Sequence, residues 1–520
     1  MTVKKELLKT KKYIFMQVLF TFIATAAISF IPAYNKYLVD ALIIDKNFHF
    51  GSLIVLYCIS FIIYLAATWV SERFVWKSAL SFENRLKKKC FEKLTTMDYK
   101  DYTKKNYGEY LSMLTNQITQ IEQDYLTPWT ALIKSVMSVL IYVFVIAYHT
   151  NWLICFVLLS LSILSGISPK FYKRKLSKAG KEFMGEAENY TKNMTDILKG
   201  FDLIDSKSIK GFQYQNGKIT DNLTKKRKKY GYAKVDSNII SGTAVCLIDL
   251  LVFILCGILF QRGYITAGVI VAALTYAQSF TEPVEEILYD INTINSTKEV
   301  VDILEEFFIY NPQKDRGDMP QKQIKVSDVK VEYANKVLEY NVTFEMNKKY
   351  VLRGASGSGK STLLNVLANW MDYSGSVIID QKKSRIAENA FFYLSQNQHV
   401  FLGGFEQNVT VFHSYELNQD NLDRQMSNVN LYEQVKQMKN AALLSGGEQQ
   451  LLKICRAWVQ NKRILLLDEP FSAMDQETKK QVIHILNESN AMIILITHDF
   501  CKEDYENWEE IRMEDIVCEQ

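Results

Sequence analysis

The feature that most restricts how this chain can fold is a series of apolar runs of bilayer length, all placed before about residue 285. They span Tyr13 to Ala33, Leu53 to Val75, Ala131 to Tyr148, Trp152 to Ile167, Ile239 to Phe260 and Ile265 to Phe280. Roughly 20 apolar residues cross a hydrocarbon core, and only a backbone that satisfies its own hydrogen bonds can do so, which here means a helix. The fourth run is short. The second and sixth continue without breakers and are expected to run on as helices beyond the lipid. Lys4, Lys5, Lys9, Lys11 and Lys12 precede the first run, and Ala24-Thr25-Ala26 resembles a signal-cleavage site. The apolar run continues past Ala26, so a retained span is the expected reading.

The connections between runs alternate. Those around Ile44 to Phe50, His149 to Asn151 and Gln261 to Tyr264 are very short and carry only Asp45, Lys46 and Arg262 as full charges. The other two, about Lys77 to Pro128 and Lys170 to Asp236, are long and basic, with clusters such as Lys87-Lys88-Lys89 and Lys225 to Lys229. Positive residues mark the cytosolic side, so both loops and the amino terminus are expected there. Six spans return the carboxyl half to that side. Leu111, Leu114, Ile118 and Ile121 keep helical spacing, so the long loops are predicted to be helical extensions of the spans. Within the spans, Asp249 is a candidate either for a substrate path or for a hydrogen bond between helices, and Glu282 beside Pro283 is read as interfacial.

The full chain of 520 residues exceeds one ordinary core, and a net charge of +4 gives no argument for nucleic acid. Its eight cysteines are scattered, without a C-x-x-C pair or zinc spacing, as in a reducing compartment. After Pro283 a helical pattern runs to Phe308, and Asn311-Pro312, Gly317 and Pro320 mark a linker. The expected organisation is a helical membrane domain over 1–310, a linker over 311–323 and an α/β domain over 324–520.

In that last domain, Tyr350 to Thr362 reads YVLRGASGSGKST. An apolar strand-like run leads into Gly354, Ala355, Ser356, Gly357, Ser358, Gly359, Lys360 and Ser361, and a helix-compatible run follows, the context of a phosphate-binding loop. Glycines let backbone N–H groups close around phosphate oxygens, the helix adds its positive end, and Lys360 reaches the terminal phosphates. Ser361 is placed to hold Mg²⁺. Downstream, Ile464 to Pro470 is a buried-strand run ending in two carboxylates: Asp468 is expected to bind Mg²⁺ through water and Glu469 to polarise the attacking water. A second apolar run, Met492 to Ile496, ends at His498, a candidate for contact with the terminal phosphate. Leu444 to Gln450 reads LSGGEQQ ahead of a helical run and makes a second anion-binding turn.

LSGGE between a phosphate loop and LLLDEP resembles the signature of ATP-binding cassette proteins, and six spans ahead of one cassette resemble an exporter-type half-transporter. The resemblance covers nearly the whole chain. It implies that Ser445, Gly446, Gly447 and Glu448 of one subunit cover ATP held by another, so that the partner is a second half-transporter, a homodimer being favoured. It also implies roles for Gln396 as the glutamine that senses Mg²⁺, for Ser472 to Asp475 as a loop communicating across the dimer, and for Tyr333 as an adenine-stacking ring that, with Thr362, completes the nucleotide site. Asn106 to Leu111 and Leu198 to Phe201 are similar to the family's coupling regions. Glu448 stands where glutamine is commoner, the segment Gln437 to Leu443 lacks the usual Gly-rich acidic stretch, and the sequence after His498 is short. The implied activity is ATP hydrolysis driving export through a bacterial cytoplasmic membrane. A peptide is the favoured cargo, a lipid-like molecule or drug a further one, and import of a metal chelate on the same fold the rival; the absence of a protease-like segment before Tyr13 argues against leader cleavage by this chain.

Overall fold

The computed structural model describes residues 2–44, 50–150, 152–167, 172–309, 317–333, 336–498 and 500–519. Asp45, Lys46, Asn151 and the first part of the expected linker lie outside these. The chain divides into two compact units, Met1–Thr95 with Tyr107–Tyr310, and Thr96–Asn106 with Asn311–Gln520.

The first unit is helical. Helices Phe50–Thr95 and Ile209–Gln261, of 46 and 53 residues, run roughly 70 and 80 Å at 1.5 Å per residue, so the basic clusters at Lys87 to Lys89 and Lys225 to Lys229 lie on helical extensions of the second and fifth apolar runs. Between them, Tyr107 to His149 is helical throughout but contains two π-type turns, Met113–Gln117 and Glu122–Leu126. Lys11–Ile43, Phe50–Thr95 and Tyr107–His149 are long and apolar enough to span a bilayer, while the apolar parts Trp152–Ile163 and Cys246–Gln261 are shorter. The sixth run begins in a turn, and its helix, Ala267–Ile309, starts two residues later than expected. That helix buries Ala272, Ala273, Tyr276, Ala277 and Phe280 in a core with Tyr142, Ile146, Leu158 and Val252.

Hydropathy averages hid one device. Gln17, Thr21, Thr25 and Ser29 repeat every four residues on the first span and are all buried. Thr21 Oγ1 lies 2.9 Å from Ser71 Oγ, Thr25 Oγ1 3.3 Å from Ser138 Oγ, and Tyr276 Oη donates to Ser29 O at 2.9 Å. Where lipid tails remove the hydrophobic drive between helices, small side chains and such hydrogen bonds hold them together. At residues 36–40 and 266–268 the fit is tighter still. Asp40 accepts from Gly268 N at 2.9 Å and from Thr266 Oγ1 at 2.8 Å, and a Cβ on Gly268 would lie 2.3 Å from Lys36 O.

Near the amino terminus, fully buried Glu6 accepts from Lys9, Arg85 and Lys89 at 2.6–2.9 Å. Burial alone would raise its carboxyl, but the bonds from Lys89 and Lys9 outweigh it and hold the group at about 2.

The second unit has two sheets. Strands β1 (Gln323–Tyr333), β2 (Lys336–Glu345), β3 (Lys349–Arg353), β4 (Ser374–Ile379), β5 (Lys382–Lys383), β6 (Phe391–Leu394), β7 (Ile464–Asp468), β8 (Met492–Ile496), β9 (Glu509–Arg512) and β10 (Val517–Glu519) form an antiparallel sheet in the order β10-β2-β1-β4-β5 and a parallel sheet in the order β6-β7-β8-β3-β9. The parallel strands are buried on both faces: Leu465, Leu467, Ile493 and Leu495 belong to one core and Ile464, Leu466, Ile494 and Ile496 to the other. This is why they read as continuous apolar runs.

Two outcomes are expected. Gly268→Ala forces backbone apart and should destabilise the first unit by about 1–3 kcal/mol, visible as a lower Tm in detergent. Glu6→Gln should lower Tm at neutral pH. Because the native carboxyl titrates below its ordinary 4.5, its contribution is present above that value and lost as pH falls, so the gap to wild type should close towards pH of about 2.

Candidate nucleotide site

In the parallel sheet the candidate residues gather at the carboxyl ends of four strands, where ligands bind in open α/β sheets. β3 delivers the phosphate loop, β6 leads to Gln396, β7 ends on Asp468 and β8 on the residues before His498. Gly359 adopts φ 93° ahead of helix Lys360–Leu367, and any Cβ there would meet Tyr340 Oη at 2.4 Å. Glycine is therefore required on both counts. Tyr340 Oη donates to Gly359 O at 3.0 Å, pinning the turn from the antiparallel sheet. Lys360 Nζ donates to Gly354 O and Ala355 O, both at 2.8 Å, so the loop curls around its own ammonium. Burial lowers the lysine's pKa, and Glu469 and Asp468 oppose that shift.

Glu469 is the centre of the arrangement. It sits in the left-handed region at φ 50°, a conformation costly for a residue with a Cβ and commonly kept at functional sites. Its amide donates to Ile496 O at 3.0 Å. Its two carboxylate oxygens are taken from opposite sides: Gln396 Nε2 donates to one at 3.2 Å and His498 Nε2 lies 2.8 Å from the other. Three neighbouring strands thus converge on one carboxylate. Asp468, beside it, is buried. Burial raises its carboxyl, a hydrogen bond with Ser361 lowers it, and the Glu469 charge raises it further. Tyr333 meets the site through its hydroxyl, 2.9 Å from Thr362 Oγ1, with its ring half exposed.

The signature turn forms a separate cluster. Ser445 caps helix Gly446–Gln460 in a reciprocal capping box with Glu448, whose Oε2 accepts from Ser445 N at 2.7 Å and from Ser445 Oγ at 2.6 Å. A Cβ on Gly447 would lie 2.9 Å from Ala473 O, so the turn is moulded to the loop Ser472 to Asp475. Asp475 in turn caps helix Gln476–Glu488 by accepting from Glu477 N and Thr478 N. Ser356, Gly357 and Ser358 complete the phosphate loop between Gly354 and Gly359.

A contact that sequence reading missed lies just before the coupling-like stretch at Asn106. Residues Thr96–Asn106 pack within the second unit: the Tyr99 ring stacks on Trp370 with centroids 3.9 Å apart, and Lys100 pairs with Asp372 at 3.0 Å. The aromatic ring of Tyr99 was the available signal, but nothing local identified its partner.

Comparison with known proteins fits this geometry. A family model described as the ABC transporter transmembrane region matches residues 14–284, and one described as ABC transporter matches residues 337–472. The chain belongs to the ABC transporters. It has the exporter-type half-transporter organisation, with a helical membrane region fused ahead of one ATP-binding, ATP-hydrolysing cassette. It is 23% identical over 474 residues to an ATP-dependent lipid A-core flippase of Yersinia pestis bv. Antiqua (strain Antiqua), covering 85% of this chain and 78% of the relative. It is 25% identical over 421 residues to the transport/processing ATP-binding protein ComA of Streptococcus pneumoniae serotype 4, covering 75% of this chain and 58% of that protein.

The capping box makes a prediction. Glu448→Ala removes the reciprocal half of the box and should lower Tm and ATPase activity, whereas Glu448→Gln, which can still accept from Ser445 N, should retain both; thermal unfolding and phosphate release check this.

Proposed function

We propose that this chain is one subunit of an ATP-driven exporter of a peptide or hydrophobic small molecule, working as a dimer, with homodimers favoured. The observation that carries the hydrolytic part is the convergence of Gln396 and His498 on the Glu469 carboxylate beside the phosphate loop. Glu469 is the general base, held so that it faces a water in line with the terminal phosphate. His498 orients that carboxylate and contacts the phosphate. Lys360, which now donates to two loop carbonyls, exchanges them for terminal phosphate oxygens, while backbone amides from Gly354 to Gly359 hold the rest. Asp468 and Ser361 would form with Gln396 the hard oxygen set suited to Mg²⁺, which would neutralise phosphate charge when bound. Tyr333 and Thr362 border the nucleotide. Ser445 to Glu448 of the second subunit close over the ATP.

The cargo reading draws on the relatives, whose names speak of lipid A-core and of transport with processing; the lysine-rich loops support a reading in which the termini face the cytosol of a bacterial cytoplasmic membrane. Export, rather than import of a metal chelate, follows the same relatives.

Glu469→Gln in proteoliposomes is expected to abolish turnover and keep ATP binding. Turnover at the wild-type rate would remove Glu469 as base. Peptide, lipid and drug panels are then compared for stimulation of the wild-type ATPase and for ATP-dependent movement across the vesicle wall.

A further inference from the structure

Arg456 lies within the helix that the signature opens, and only 4% of it is exposed. Among the described residues, no carboxylate stands among its partners. Nε donates to Asn408 O at 2.9 Å, Nη2 to Asn408 Oδ1 at 3.1 Å, and Nη1 to Gln398 Oε1 at 3.2 Å and His399 O at 3.1 Å. The guanidinium carbon is 5.5 Å from the centre of the Phe401 ring. Burial draws the group down to about 10, and Lys453, buried on the same helix, adds like charge rather than relief. A cation placed among neutral acceptors is an expensive way to fill a core. Its fixed fork, however, can hold several acceptors in one geometry, which lysine cannot.

Those acceptors belong to the segment that follows the glutamine. Asn408, with no exposed surface, gathers the chain from Phe401 to Gly404: its Nδ2 donates to Phe401 O, Gly403 O and Gly404 O at 3.0–3.1 Å, and its Oδ1 accepts from Phe401 N. Gln398 is further fixed by donation to Tyr393 O at 3.1 Å, on β6. Two residues before Gln398, Gln396 touches Glu469. A continuous set of hydrogen bonds therefore runs from the signature helix through Arg456 and Gln398 to the loop that holds Gln396.

We infer that Arg456 is a positioning residue: it fixes the glutamine loop to the signature helix, so that the placement of Gln396 against Glu469 follows the position of that helix. The inference rests on the assignment of Gln396 and Glu469 to hydrolysis. It assigns the chemical step, not nucleotide affinity, to the strut.

The test uses the full chain in lipid nanodiscs, with Mg-ATP turnover, binding of a fluorescent ATP analogue and thermal unfolding measured for Arg456→Lys, Gln398→Ala and the double variant. Each single change is expected to reduce kcat by about tenfold or more while KM and analogue affinity stay within about twofold. The double variant should be no slower than the slower single one, because both break the same strut. Wild-type kcat in both single variants, losses that multiply in the double, or a rise in KM with kcat unchanged would each overturn the proposal. Should Arg456→Lys fail to fold, Gln398→Ala decides alone, its kcat and KM read against wild type. Glu469→Gln separates the two levels: if it is inactive while Gln398→Ala and Arg456→Lys are unaffected, the strut alone fails, and if it turns over normally, the underlying site assignment fails.

Discussion

The structure depends on a carboxylate that is held from two sides. Glu469 is delivered by a strand buried on both faces, turned into a left-handed backbone conformation, and grasped by an amide from one neighbouring strand end and an imidazole from the other. A free glutamate on a surface loop would sample many rotamers. Here the sheet register sets the position of all three groups at once, because Leu467 pairs with both Leu394 and Leu495. Any shift of β6 or β8 against β7 would separate Gln396 or His498 from the acid, so the stability of two apolar cores is converted into the alignment of one carboxylate.

How much of this was legible follows from the range of the interactions. The phosphate loop, the strand ending in Asp468 and Glu469, and the capped signature turn are local: each is encoded within about ten residues by glycine, chain polarity and capping chemistry. The same holds for the long helices, whose helical spacing continues past the bilayer-length apolar runs. The interhelical polar stripe was missed since Gln17, Thr21, Thr25 and Ser29 are each mild interruptions in an apolar run, and their meaning lies in Ser71 and Ser138 on other helices. The sixth helix starts late because Asp40, more than 220 residues earlier, caps it. Tyr333 was placed against adenine by resemblance, and the structure adds a hydroxyl contact with Thr362 that no spacing rule foretells.

Arg456 shows the same limit from the other direction. Its helix was evident from the apolar pattern, and an arginine there would ordinarily be assigned to solvent. Only the folded chain reveals that the side chain faces inward, onto carbonyls and amides of a loop some fifty residues earlier.

The placement of Thr96–Asn106 in the second unit bears on how the chain is made. Lys100 and Asp372 are 272 residues apart in sequence. In chain order the membrane helices come long before the turn after helix Lys360–Leu367 that supplies Trp370, so Tyr99 has no Trp370 to stack on until the cassette has been made. The order of completion is then fixed: the nucleotide-binding half finishes a piece of chain that precedes it, and a lone cassette released from the linker would fold without a part of its own surface.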